Sequence, residues 1–245
     1  MALVEPIPGE PAATADLGRE RALVVADFHA GIGDHLRYEQ GVNLDSRASE
    51  RREQMDALLD RTDPDRVVFL GDLMQSIAGP GGAERGEIEV LLESIDVPVT
   101  LVKGNHDGTI ESWIECEVTP SDGVRLGNVG FVHGHTWPSR DALSADVVCV
   151  GHEHPCVRLE DSVGGSRVER IWLRGELNPE PFAEQVGELA VDGELIVFPA
   201  FNDLTGGTWV NVEGQEFLAP FLPDGLADGE AYLLDGARLG RYDRI

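Results

Sequence analysis

The chain has 245 residues, 45 of them acidic and 19 basic, for a formal net charge of −26. That length suits one large domain with a sizeable core. No apolar run reaches the length of a membrane helix, and the Pro-, Ala- and Glu-rich N-terminus lacks the basic start and apolar centre of a secretion signal. The acids are spread along the whole sequence, and every base but Lys103 is arginine. Such a solvated acidic surface could serve avoidance of polyanions, but it better fits adaptation to a halophilic cytoplasm of very high salt, where a Debye length of about 3 Å screens self-repulsion.

Residues 1–20, punctuated by Pro and Gly, are expected to be extended. Arg21 to Asp27 is a continuous apolar run closed by an acid, the pattern of a strand buried on both faces, and it opens into Asp27-Phe28-His29. The Gly31 to Gly41 stretch reads as a loop, with His35 on the surface. A helix is expected from about Leu44 to Arg61, with Arg47, Arg51 and Arg52 on a salt-bridged solvent face beside Glu50 and Glu53. Asp65 to Leu70 is a second buried strand, ending in Gly71-Asp72, and Ala83 to Ile95 is a second amphipathic helix. Val97 to Val102 is a third strand, delivering Gly104-Asn105-His106-Asp107. On its own that stretch could be an ordinary turn. Strand and helix alternating in this way argue for a parallel sheet with its site along one edge.

The second half is richer in strands. Glu115 to Val118, Gly123 to Gly127, Val129 to His133, Val147 to Val150, Val157 to Glu160 and Val168 to Leu173 read as short strands, and Leu195 to Phe198, Thr208 to Val212 and Ala231 to Leu234 follow. Two of them end in His133-Gly134-His135 and Gly151-His152-Glu153-His154. The expectation is a single domain over 1–245, an α/β fold of two sheets flanked by helices. Residues 27–154 would carry the site, and 175–245 would complete the sheets. Cys116, Cys149 and Cys156, odd in number and without metal-motif spacing, are expected as buried thiols in a reducing cytoplasm.

A lone histidine is usually a hydrogen-bonded structural residue. Six of the seven here, at 29, 106, 133, 135, 152 and 154, fall just after apolar runs, which that explanation does not accommodate. Imidazoles interleaved with carboxylates suit first-row divalent metals. Asp27, His29, Asp72, Asn105, His133, His152 and His154 are too many donors for one tetrahedral ion. They suit two ions sharing a carboxylate, a pair that clamps a phosphate and activates a bridging water for in-line attack. A closed structural zinc site would be richer in cysteine.

Asp27-x-His29, Gly71-Asp72, Gly104-Asn105-His106-Asp107, His133-Gly134-His135 and Gly151-His152-Glu153-His154 resemble, in order, the motifs of the calcineurin-like metallophosphoesterases. The stretches around Asp27, Phe198-Pro199-Ala200-Phe201-Asn202 with Gly206-Gly207, and Leu234-Asp235-Gly236 resemble the archaeal phosphoesterases related to the SbcD and Mre11 nucleases. The resemblance implies a four-layer α/β/β/α fold and a hydrolase with two divalent ions, manganese first, with zinc, iron or nickel as alternatives. It implies that Asp27, His29 and His154 hold one metal, that Asn105, His133 and His152 hold the other, and that Asp72 bridges them. His106 would contact the phosphate and protonate the leaving oxygen, with Asp107 orienting its ring. His135 either lines the site or packs against it. The substrate would be a phosphodiester of nucleic acid or nucleotides, the alternatives being a small phosphomonoester or a binding module without activity. A DNA-processing ATPase is a partner implied by the resemblance alone.

Overall fold

The computed structural model describes residues 2–39, 41, 45–77, 79–160, 164–189 and 193–245. Its first sheet holds β1 (Val4–Pro6), β2 (Ala12–Asp16), β3 (Arg21–Val25), β4 (Arg66–Phe69), β5 (Val99–Val102) and β6 (Glu117–Thr119) in that spatial order. β1, β2 and β3 are antiparallel, and β3 through β6 run parallel. The extended N-terminus is thus a hairpin that pairs with the first buried strand.

The second sheet contains β7 (Val124–Leu126), β8 (Val129–Val132), β9 (Val147–Val150), β10 (Cys156–Glu160), β11 (Ser166–Leu177), β12 (Glu194–Val197), β13 (Leu226–Leu233) and β14 (Arg238–Arg241). Its order is β14-β13-β11-β12-β9-β8-β7, with β10 paired to β11. Only β8, β9 and β12 are mutually parallel.

Alternation along the buried strands explains the layering. In β3, Leu23 and Val25 face one core while Ala22 and Val24 face another; Val67 and Phe69 against Val68 do the same in β4. The first core lies under α2 (Ala48–Thr62) and α3 (Gly82–Glu93), which contribute Met55, Leu58, Ile88 and Leu91. The second lies between the sheets and packs Phe131, Cys149, Trp172 and Phe198 against β3 and β4. The third covers the outer face of the second sheet, beneath α4 (Arg140–Leu143), α5 (Ala183–Val186), Phe182 and Phe221. Two mixed sheets with flanking helices result, and the carboxyl ends of β3, β4, β5, β8 and β9 meet along one edge.

Several details differ from the sequence reading. The Gly31 to Gly41 stretch contains a helix, α1 (Ile32–Glu39), and His35 on it is half-buried. The second helix starts at Ala48, and Leu44 lies outside the described residues. Arg51 does not sit on a solvent face: it is buried, and its Nε donates to Glu87 Oε1 of α3 at 2.9 Å. Arg47 does pair with Glu50, and also with Asp203. Thr208 to Val212 is not a strand beyond a single bridge between Cys156 and Trp209. There the Asn211 side chain bonds both the N–H and the C=O of Arg158, in place of a backbone ladder. Cys149 and Cys156 are buried free thiols and Cys116 is half-buried. Among the described residues, no helix is long and apolar enough to cross a membrane.

Candidate metal centre

Five residues at this edge have left-handed backbones although none is glycine: Asp27 (φ 56°), His29 (46°), Asp72 (47°), His152 (67°) and His154 (46°). Each such residue costs on the order of 1–3 kcal/mol, and a fold retains such strain where side chains must be aimed. Two glycines permit the close approach. A Cβ at Gly71 would overlap the His133 ring, and one at Gly104 would overlap the Asp72 carboxylate.

The donors converge. His154 Nε2 is 3.3 Å from both Asp27 Oδ1 and His29 Nε2. His133 Nε2 is 3.0 Å from Asn105 Oδ1 and 3.4 Å from Asp72 Oδ2, and His29 Nε2 is 3.8 Å from the same Asp72 oxygen. Two donors each about 2.1 Å from a common ion lie ~3.0–3.5 Å apart, so several of these separations match the edges of a coordination shell. Asp27, His29 and His154 could hold one ion, as could Asp72, His133 and His152, and as could His29, Asp72 and His106.

Hydrogen bonds outside these groups fix which atoms are offered. His133 Nδ1 donates to the Leu70 carbonyl (2.7 Å) and His154 Nδ1 to the Gly206 carbonyl (2.9 Å), so each turns Nε2 inward. A partner on the outer nitrogen sets the tautomer a metal needs. Asp72 Oδ1 accepts the His106 backbone N–H at 2.8 Å, which leaves Oδ2 facing His29, His106 and His133. Asp27 accepts the His152 backbone N–H, tying the two sheets together at the site.

The charges are arranged to match. Burial alone would raise both carboxyls, but facing imidazoles hold Asp27 and Asp72 below the usual carboxylate range. Burial pushes His29 and His152 down to about 4, so both are neutral donors at pH 7. His133 is driven the other way: burial opposes protonation, but Asp72, then Asp27 and the Leu70 carbonyl, carry it up to about 9. His154 is likewise raised against its burial, mainly by Asp27. Without metal, a proton on His133 offsets the charge of the Asp72 and Asp27 carboxylates that face it.

The ring of His106 is not oriented by Asp107, contrary to expectation. His106 Nδ1 donates to the Gln75 carbonyl at 2.5 Å, and its Nε2 points to Asp72 Oδ2 at 3.9 Å. The fully buried Asp107 carboxylate instead accepts four backbone N–H groups, from Asp72, Leu73, Met74 and Gly104, at 2.7–3.2 Å. Burial, then the Asp72 charge, pushes Asp107 up to about 6 against those four donors. It shapes the turn that carries Asp72. His135 sits beside the second group, its ring 5.2 Å from His133 and 6.0 Å from His152, with Nδ1 buried and unpartnered among the described residues.

Sequence reasoning missed four braces. Glu84 of α3 accepts the N–H groups of Gln75 (2.6 Å) and Ser76 (2.8 Å), holding the loop whose carbonyl orients His106. One turn on, Glu87 accepts the Gly31 N–H. Glu153 is fully buried and accepts the N–H groups of Leu218 and Ala219. The Asn202 amide donates to the carbonyls of Phe28 and His29 and accepts from Leu204. Glu153, an acid between two ligand candidates, carried a local signal; the two acids of α3 look like any solvated helical glutamate.

Residues 20–156 match the family model described as calcineurin-like phosphoesterase. The chain belongs to that family. It is a hydrolase acting on phosphoester bonds, and its His and Asp clusters are suited to divalent metal. No curated protein matches the sequence. Among solved structures, the Pseudomonas putida nuclease MPE is similar in fold, with a TM-score of 0.60 at 19% identity, over 96% of this chain and 100% of that one. The E. coli phosphoesterase Yfce aligns over 89% of this phosphoesterase and 96% of its own chain, at 16% identity and a TM-score of 0.42.

Proposed function

We propose that the protein is a two-metal phosphodiesterase acting on nucleic acid or nucleotides. The observation that carries this reading is Asp72, whose Oδ2 faces His133 at 3.4 Å and His29 at 3.8 Å, so one carboxylate oxygen serves both donor groups. Asp27, His29 and His154 would hold one ion, Asn105, His133 and His152 the other, and Asp72 would be shared. The carboxylate and amide oxygens suit manganese, while the imidazoles also suit zinc, iron or nickel. Bound there, two divalent ions supply Lewis acidity, a water activated at neutral pH and neutralisation of phosphate charge.

The protein's own groups complete the chemistry. His106 keeps one ring proton on Gln75 and presents Nε2 to the centre, so its protonated ring can contact the phosphate and deliver a proton to the leaving oxygen. The left-handed turns keep the donors aimed before substrate arrives. The nuclease named among the similar folds supports a diester over a monoester substrate. The test is a panel with Mn²⁺ at molar KCl: bis(4-nitrophenyl) phosphate, 4-nitrophenyl phosphate, single- and double-stranded DNA, RNA and cyclic nucleotides. Diester turnover exceeding monoester turnover is expected; turnover of monoesters alone refutes the reading.

A further inference from the structure

A cleft of about 690 Å³ opens directly onto the metal centre, with His29, His106 and His154 along its floor. Its size falls in the ~300–1,000 Å³ range of small-molecule sites. Two apolar walls face it: Ile32 and Leu36 from α1, and Leu204 and Leu218 from the loops that follow β12. Gln75, Thr205 and Gln215 add uncharged donors and acceptors, and Glu216 is its one acid. Neither lysine nor arginine lines it among the described residues; Arg37 and Arg52 line a different cavity, between α1, α2 and α3.

The wall of Leu204 and Leu218 is built on the braces that hold the metal donors. Glu153, between His152 and His154, fixes the Leu218 backbone, and Asn202 bonds the His29 carbonyl and the Leu204 N–H together. That wall is therefore preformed, although Leu218 itself is 58% exposed.

Binding along a nucleic acid requires a basic side chain at successive phosphates, each releasing counterions and adding to the salt dependence. Among the described residues this cleft offers no lysine or arginine, and His35 is its one imidazole outside the metal centre. We infer, resting on the phosphodiesterase reading, that the site takes a diester with a single phosphate. The phosphate would sit against the ions that the donors on the cleft floor could hold, and the apolar-walled cleft holds a nucleoside leaving group. Dinucleoside monophosphates are the substrates of this class. Water adds to phosphorus, the P–O bond to the departing nucleoside breaks, and His106 protonates the released alkoxide, giving a nucleoside and a nucleoside monophosphate.

The test compares thymidylyl-thymidine, a 20-nucleotide single strand and a 20-base-pair duplex with Mn²⁺ between 0.5 and 3 M KCl. The expected kcat/KM for the dinucleoside changes by less than about threefold over that range and exceeds that for the duplex by roughly 100-fold or more. Leu218→Asp raises the dinucleoside KM by about tenfold, the scale of losing one apolar contact surface. Preference for the duplex, a steep fall of dinucleoside turnover with salt, or an unchanged KM in Leu218→Asp overturns the inference. Cleavage of bis(4-nitrophenyl) phosphate without cleavage of the dinucleoside overturns it alone. Cleavage of no diester overturns the functional reading and this inference with it.

Discussion

Replacing Asp107 by asparagine separates two accounts of the Gly104-Asn105-His106-Asp107 turn. In the structure each carboxylate oxygen accepts two backbone N–H groups: Oδ1 from Leu73 and Met74, Oδ2 from Asp72 and Gly104. An asparagine keeps one oxygen and turns an NH₂ toward the other two donors, so two bonds are lost and donor faces donor. Hydrogen bonds to a charged group contribute about 1.5–3 kcal/mol each, so the loss is roughly 3–6 kcal/mol. For a chain of this size that lowers Tm by on the order of 10–20 °C. Three of the four bonds hold the neighbouring Asp72-Leu73-Met74 turn, which carries Asp72, so metal affinity falls as well. Calorimetric unfolding and Mn²⁺ titration of Asp107→Asn measure both. If the variant keeps its stability and metal affinity and loses only turnover, Asp107 acts on His106 after all and the structural account of it is wrong.

His106→Ala should lower diester turnover by about 10²–10⁴-fold while metal affinity stays near wild type; a variant with full activity, or one stripped of metal, contradicts its assignment as proton donor. Metal binding at pH 7–8 should release a proton, because His133, held up to about 9, must shed one to ligate; calorimetry in buffers of different ionisation enthalpy reads the number, and zero release refutes the charge arrangement. For the metal-free protein the sign follows from the raised His133 value: its stabilisation is complete below pH 6.5 and is lost as pH rises toward 9, by roughly 3 kcal/mol. Chemical denaturation of chelator-treated protein across that window checks it, and a flat or rising profile counts against it.

Much of the fold was legible because periodicity reports burial. Continuous apolar runs such as Leu23-Val24-Val25 and Val67-Val68-Phe69 lie between two cores, and a strand so placed cannot carry polar residues until its end. The donors were legible for the same reason: a polar residue directly after such a run must sit at the sheet edge. What the sequence hid was which partner each polar group takes. Asp107 follows His106 in the chain, and adjacency suggested a contact, yet the backbone turn aims the carboxylate at Asp72 and leaves the ring to a carbonyl at Gln75. Arg51 was hidden too, because its partner Glu87 is distant in sequence and only the packing of α2 on α3 brings them together. The helix at Ile32–Glu39 was obscured by the glycines around it.

Everything about the chemistry turns on whether Asp72 bridges two ions. Titrating metal-free protein with Mn²⁺ while recording its electron paramagnetic resonance spectrum tests this directly. The account predicts two ions per chain and an exchange-coupled signal that is lost in Asp72→Ala. A single uncoupled Mn²⁺ at saturation, or coupling that survives without Asp72, would contradict it.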